Sequence, residues 1–345
     1  MGDTQLAVVS TPTYAPVFQK GGCLMALSHL VLSNKSYRSY FANAQRGPGQ
    51  VLILDNGSFE TGKPMAPDAL AGICNMIQPT HVVLPDYIGS WKDTLEASYN
   101  ALGYLEGSVQ NVIFAPQGDT CDEYLQSIDK WMNVWVNKNL NTTFNLTIGI
   151  SQKRKFHNGG CACARAELLQ TLFVDRGWSG LPVHLLGIPD VNQFVLYELG
   201  LMDTFHLIES VDSSLPVALA YAGHILSTDS PKMQLPTNEA GLTSERTRLG
   251  RLNIQLLRKW ITDGDAGTGA IPYKMMHFIA TDGGNLHLTD MTSIMAALGF
   301  PTGYYRHDIN DDTYLYLGTG DPTETDEGGL VQGTEVTAYV SRTGS

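Results

Sequence analysis

The sequence predicts an α/β protein: a (β/α)8 barrel of the TIM type, with a C-terminal helical segment and a short Gly/Thr-rich tail. Three observations carry that expectation. Short apolar runs alternate with helical periodicities over the first 220 residues. Most of these runs are continuously apolar, as suits strands buried on both faces of a parallel sheet. The 345-residue length, with 43% apolar and 16% charged residues, is enough for one large barrel core.

The strand candidates, in order, are "LAVVS" (6–10), "VLILDN" (51–56), "HVVLPD" (81–86), "NVIFAPQG" (111–118), "NLTIGIS" (145–151), "VHLLGIPD" (183–190), "FHLIESVD" (205–212) and "VALAYA" (217–222). Eight runs favour a closed barrel over an open sheet. Between them, "APDALAGICNMI" (66–77) opens with Pro67 and Asp68, a first-turn signature. Segments 90–105 and 121–138 place apolar residues at three- and four-residue spacing, and 163–177 and 190–200 are helical runs ending at glycine. A polar loop then leads to a long helix, "TSERTRLGRLNIQLLRKWITDG" (243–264). Residues 1–300 are expected to form the barrel with its C-terminal helices. Residues 301–345 are expected to form a small appendage in which "TYLYLG" and "VTAYVS" pair as a hairpin.

The formal net charge of −12 argues against a protein that coats nucleic acid with its whole surface, while leaving room for a local basic face. Five scattered cysteines read as reduced thiols and not as a disulfide framework. The opening "MGDTQLAVVS" lacks a signal-peptide pattern, and no apolar run reaches the length of a membrane span, so a cytoplasmic location is expected. Neither a G-x-G-x-x-G fingerprint nor a P-loop is present.

Catalytic groups of a (β/α)8 barrel gather at the C-terminal ends of its strands. At those ends the sequence puts Asp55, Asp86, Gln117, Gly149 and Asp212. Any one of these aspartates alone reads as a turn former or helix cap. On successive strands they read as a site. Within "FHLIESVDSSLP", a period of two puts Ile208, Ser210 and Asp212 on one face and Leu207, Glu209 and Val211 on the other. Asp212 is then the candidate reagent, and Glu209 is expected to pair with a cation or a helix.

The local words also resemble the tRNA-guanine transglycosylase superfamily. "ILDNGSFE" (53–60) resembles its Asp-Ser-Gly-Gly-Phe motif, "APQG" (115–118) its Val-Gln-Gly segment and "IGIS" (148–151) its Gly-Leu-Ala segment. "HLLGIPD" (184–190) is similar to Leu-Met-Gly-Val-Gly, "VDSSLP" (211–216) to Phe-Asp-Ser/Cys-Val-Leu-Pro, and "TPTYAPV" (11–17) to Thr-Pro-x-Phe-Met-Pro-Val. The resemblance implies base exchange at a nucleoside. Asp212 falls on the family's nucleophile and Asp55 on its general acid/base. Asp86, Gln117, the backbone of Gly149, and Leu186 fall on positions that bind the purine.

Departures narrow this reading. The family's zinc site follows the nucleophile strand, and no cysteine follows Asp212, so no cofactor is expected. His157, Cys161 and Cys163 cluster ahead of the nucleophile, one ligand short of a closed zinc site; a loop of small residues accounts for them better. Motif spacings are often shorter than in the tRNA enzymes. That pattern resembles the phage and bacterial relatives that install 7-deazaguanine bases in DNA. DNA is therefore the preferred polymer partner, a 7-deazaguanine the small-molecule partner, and a homodimer is left open. Candidate phosphate contacts are Lys153, Arg154 and Lys155, just after Gly149, and Arg246, Arg248 and Arg251 on the long helix. A reduced tRNA enzyme and a non-catalytic barrel that binds a partner or belongs to a virion are the alternatives.

Overall fold

The computed structural model describes residues 4–19, 22–43, 47, 49–151, 172, 181–188, 208–226, 230, 233–236 and 241–263, and the backbone of three strands between 304 and 341. Eight parallel strands close a barrel in sequence order: β1 (Gln5–Val8), β2 (Cys23–Leu27), β3 (Val51–Asp55), β4 (His81–Val83), β5 (Asn111–Phe114), β6 (Asn145–Ser151), β7 (Val183–Leu186) and β8 (Ile208–Ser213). β8 closes the ring on β1, with Ala7 opposite Asp212. The fold is the expected (β/α)8 barrel.

Seven strands coincide with sequence candidates; the remaining one corrects the reading. "VALAYA" is not a strand. It belongs to helix α8 (Leu215–Ala222), numbered after α1 (Ala15–Phe18), α2 (Ser28–Ser33), α3 (Lys35–Asn43), α4 (Ser58–Thr61), α5 (Pro67–Ile77), α6 (Trp91–Leu105) and α7 (Cys121–Asn137). Pro216 sits in its first turn, and Leu215 through Ala220 are all buried because the last described helix, α9 (Ser244–Asp263), packs across α8. A helix covered on both sides loses its polar face, so its period no longer separates it from a buried strand. The missing strand is β2, "CLMAL", buried at every position. It runs directly into α2 without punctuation, which blurs its period.

Helices α5, α6, α7 and α9 fall where their patterns place them. α6 and α7 start on Ser90 and Thr120, whose hydroxyls accept from the N–H of Asp93 and Glu123 and satisfy otherwise orphaned donors. The helices expected at 163–177 and 190–200 lie outside the described residues. Among those described, no helix is long and apolar enough to cross a membrane.

Strand alternation builds two cores. Ala7, Val9, Cys23, Met25, Leu27, Ile53, Val83, Ile113 and Ala115 fill the barrel interior. Their neighbours, such as Leu6, Leu24, Leu54 and Phe114, face the helices, where Phe114 stacks on Trp131 at 4.3 Å. In β8 the alternation breaks. Val183 pairs with Ile208 but His184 pairs with Ser210, so Glu209 is an extra, bulged residue. Ile208 therefore packs in the outer core with Val211, and not on the face of Ser210 and Asp212 as a strict period of two requires. Glu209 is exposed, and among the described residues no ion pair reaches it.

A separate antiparallel sheet has the order β11–β10–β9, from β9 (Tyr304–Asp308), β10 (Thr313–Gly318) and β11 (Ala338–Ser341). β10 and β11 are the expected hairpin strands, and β9 adds a third.

Candidate active site

Because all eight strands are parallel, their C-terminal ends share one rim, and the aspartates counted there in sequence converge. Asp55 ends β3, and its Oδ2 accepts from Gly57 N at 2.8 Å. Gly57 has φ +77°, and a Cβ there would lie 3.0 Å from Ser28 Oγ, so the turn that brings this N–H onto Asp55 favours glycine.

Asp86, just beyond β4, is gripped by two side-chain amides. Asn56 Nδ2 donates to Oδ1 at 2.8 Å and Gln117 Nε2 to Oδ2 at 2.6 Å. Asn56 also donates to Leu84 O, and Ser58 Oγ to the Asp86 carbonyl at 2.8 Å. Asn56, Asp86 and Gln117 are all buried. Burial raises the Asp86 carboxyl above the ordinary range, against hydrogen bonds from Asn56, Ser58 and Gln117 that pull the other way.

Asp55 is raised well above the usual range, first by burial and then by the charge of Glu60; the Gly57 N–H opposes this, and Asp86 and Asp212 add to the rise. It is thus a carboxyl disposed to keep its proton, which is the state of a general acid. Glu60 is raised as well, by burial and by Asp212 and Asp86, against its own backbone hydrogen bond.

Asp212 has a different environment. Its Oδ1 accepts from Gly187 N at 2.9 Å and from His184 Nε2 at 3.1 Å. Among the described residues nothing donates to Oδ2. Gly187 has φ +65°, a left-handed conformation that turns its N–H toward the carboxylate. The backbone is latched as well: Ile188 N donates to Asp212 O at 2.8 Å, and Ser213 Oγ to Ile188 O at 2.7 Å. Cys23, an interior neighbour, has its thiol pushed up to about 12 by burial and by the Asp212 charge.

Gly149 lies on β6, paired with His184 of β7. Its position faces the interior: a Cβ would meet Ile113 Cγ2 and Leu186 Cδ1 at 2.9 Å each. Asp55, Asp86, Gln117, Gly149, Leu186 and Asp212 thus line one end of one barrel. Among the described residues no group of three or more His, Cys, Asp or Glu is arranged to hold a metal ion.

The basic candidates fare differently. Lys153, Arg154 and Lys155, with His157, Cys161 and Cys163, lie outside the described residues. Arg246 Nη1 donates to the carbonyl of Tyr221, at the end of α8, at 2.8 Å. α8 starts beside Asp212, and Tyr221 is six residues on, about 9 Å along the helix axis at 1.5 Å per residue. Arg246 therefore caps the C-terminal end of α8, whose Tyr221 hydroxyl lies 3.0 Å from Thr11 Oγ1. Arg248 and Arg251 are half-buried, with interactions of their own.

Sequence reasoning missed His184, Ser210 and Asn56. The signal for His184 was a lone imidazole in an apolar strand, two residues before Leu186 and so on the same face. For Asn56 there was none beyond its place beside Asp55.

No protein-family model and no curated protein matches the chain. Among solved structures, it is similar to a dihydropteroate synthase from Coxiella burnetii in complex with pteroic acid, with a TM-score of 0.41 and 11% identity over 61% of this chain and 87% of that one. It is also similar to the CitE protein of Mycobacterium tuberculosis in complex with magnesium, acetoacetate and coenzyme A, with a TM-score of 0.29 and 10% identity over 81% of this chain and 97% of that one. Identity and TM-score are both low, and no reading of this chain's chemistry rests on these two.

Proposed function

We propose that the chain is a base-exchange transglycosylase that replaces guanine in a nucleic acid, DNA by preference, with a 7-deazaguanine through a covalent aspartyl–glycosyl intermediate. The observation that carries this reading is the unequal pair of carboxyls at the mouth. Asp212 has one oxygen held by two N–H donors and the other, among the described residues, unengaged, while Asp55 is disposed to hold a proton. The word-by-word resemblance of the strand ends to guanine transglycosylases supplies the substrate class.

The chemistry follows from that pair. Asp212 Oδ2 attacks the anomeric carbon of the target nucleoside. A C–O ester bond forms as the bond to the guanine nitrogen breaks, with its electron pair leaving on guanine and the Asp55 proton neutralising the leaving base. The incoming base gives a proton to Asp55 and displaces Asp212. Two inversions retain configuration, as in a retaining glycosidase with a base in place of water. No electron is gained or lost, so no redox partner is needed. Asp86, held by Asn56 and Gln117, has lone pairs left to accept the N–H groups of a guanine-type edge, and a base lacking them would leave the buried carboxylate underpaired.

Incubation with guanine-labelled DNA or tRNA and excess 7-deazaguanine tests this reading. Label release is expected from wild type, preferentially from DNA, together with a denaturation-resistant protein–nucleic acid adduct. Asp212→Asn is expected to abolish both. Release from tRNA alone would select the reduced tRNA enzyme, and no release from either polymer would leave a binding barrel.

A further inference from the structure

We infer that His184 is the positioning residue for the nucleophile: the barrel holds its neutral Nε2–H tautomer, and that N–H pins one oxygen of Asp212 so that the other faces the substrate. This rests on the function proposed above.

His184 is completely buried, on β7 inside the barrel. Its Nε2 lies 3.1 Å from Asp212 Oδ1 and its Nδ1 lies 2.7 Å from Ser210 Oγ. The bulge at Glu209 makes this possible. It brings Ser210 into register with His184, so that Ser210 and Asp212 both face the imidazole.

The tautomer follows from donor and acceptor counting. An ionised Asp212 can only accept, so Nε2 carries the hydrogen. Among the described residues Ser210 Oγ has one partner, Nδ1. Gln5 stands opposite Ser210 on β1, but its buried Oε1 has no hydrogen-bond partner, so it does not take the Ser210 hydrogen. The Ser210 hydroxyl therefore donates to Nδ1, and the ring is neutral. A second proton on the imidazole would leave the Ser210 O–H without an acceptor, and an unpaired buried donor is costly.

Ser210, His184 and Asp212 also match, in composition, the triad of serine hydrolases. The order within the barrel opposes that reading. The carboxylate stands at the C-terminal end of β8 and the hydroxyl two residues further in. A serine nucleophile needs the opposite arrangement. Here the serine orients the histidine, the histidine orients the aspartate, and the aspartate meets the substrate. Gly187 N holds the same oxygen, so the two donors together fix the carboxylate plane.

The test uses full-length protein and two readouts. Nitrogen-15 NMR of histidine-labelled protein, with the His184 signals assigned by their loss in His184→Gln, reads the tautomer without any substrate. The expected spectrum shows a neutral ring protonated at Nε2, and the same tautomer in Ser210→Ala, because the Asp212 carboxylate still requires the hydrogen on Nε2. An imidazolium or an Nδ1–H tautomer would overturn the assignment. In the second arm, adduct formation is timed. His184→Leu is expected to slow it about 100-fold at unchanged KM, the scale of a misplaced reacting group. His184→Gln, whose amide N–H reaches the same oxygen, is expected to recover to within about tenfold of wild type, on the scale of one retained hydrogen bond. Equal losses in Leu and Gln variants of matched melting temperature, or a Leu variant at wild-type speed, would overturn the positioning role. A wild type that forms no adduct on DNA or tRNA would remove the proposed function and this role together, while the NMR arm still decides the tautomer.

Discussion

Adding one methyl group at Gly149 tests the packing of the site most directly. A Cβ there would lie 2.9 Å from Ile113 Cγ2 and 2.9 Å from Leu186 Cδ1. Carbon atoms in good contact sit about 3.5–4.0 Å apart, so each neighbour must yield by more than half an ångström. The two differ in what they can give. Ile113 is buried, and its Cγ2 is fixed at a β-branched carbon with one stiff torsion. Leu186 is only partly buried at the mouth, and its Cδ1 is a flexible tip. Gly149→Ala should therefore cost about 1–3 kcal/mol, as overpacking in a filled core does. Urea unfolding measures this. Leu186→Ala in the same chain opens the crowded side, so the double variant should be more stable than the sum of the single changes implies, by at least about 0.5 kcal/mol. If Gly149→Ala unfolds with wild type, or the two changes add, the close approach of β6 to β5 and β7 is not what demands glycine. In the exchange assay, the displaced backbone should weaken base binding about tenfold, the loss of one hydrogen bond.

Three further outcomes follow from the site. Because the Asp55 carboxyl is raised in the fold, folding takes up a proton above the unfolded value of about 3.9, and wild type loses stability as pH rises through that window. Asp55→Asn keeps an acceptor for Gly57 N, so it should melt higher than wild type at pH 8, with the two converging below about pH 4, while base exchange falls by about 10²–10⁴. Asp86→Asn presents an NH2 to one of two NH2 donors, Asn56 or Gln117; competition assays with guanine and adenine should show discrimination falling by at least about tenfold, the worth of one hydrogen bond. Cys23, with its thiol at about 12, should resist iodoacetamide in the folded protein at pH 8 and react after unfolding in urea; rapid labelling of the native state would place it outside the barrel interior.

Much of the mouth was legible because strand ends are written locally. An apolar run followed by Asp, Asn or Gln announces a strand meeting a turn, and in a parallel barrel every such end falls on the same rim. That is how Asp55, Asp86, Gln117 and Asp212 could be grouped without coordinates. The errors have a common origin in burial from both sides. α8 and β2 are each nearly all apolar, since each is covered on two faces, and without a polar face neither period shows.

The sequence alone determined the fold class, the order of most elements and the four polar residues at the mouth, because these depend on patterns within a few residues. Only the tertiary structure decided what those residues do to one another. The bulge that turns Glu209 outward, the ring of His184 set between Ser210 and Asp212, and the amides of Asn56 and Gln117 on Asp86 all join strands about 30 residues apart. Such contacts depend on register between strands. Register is settled only when the barrel closes, so no local pattern records it.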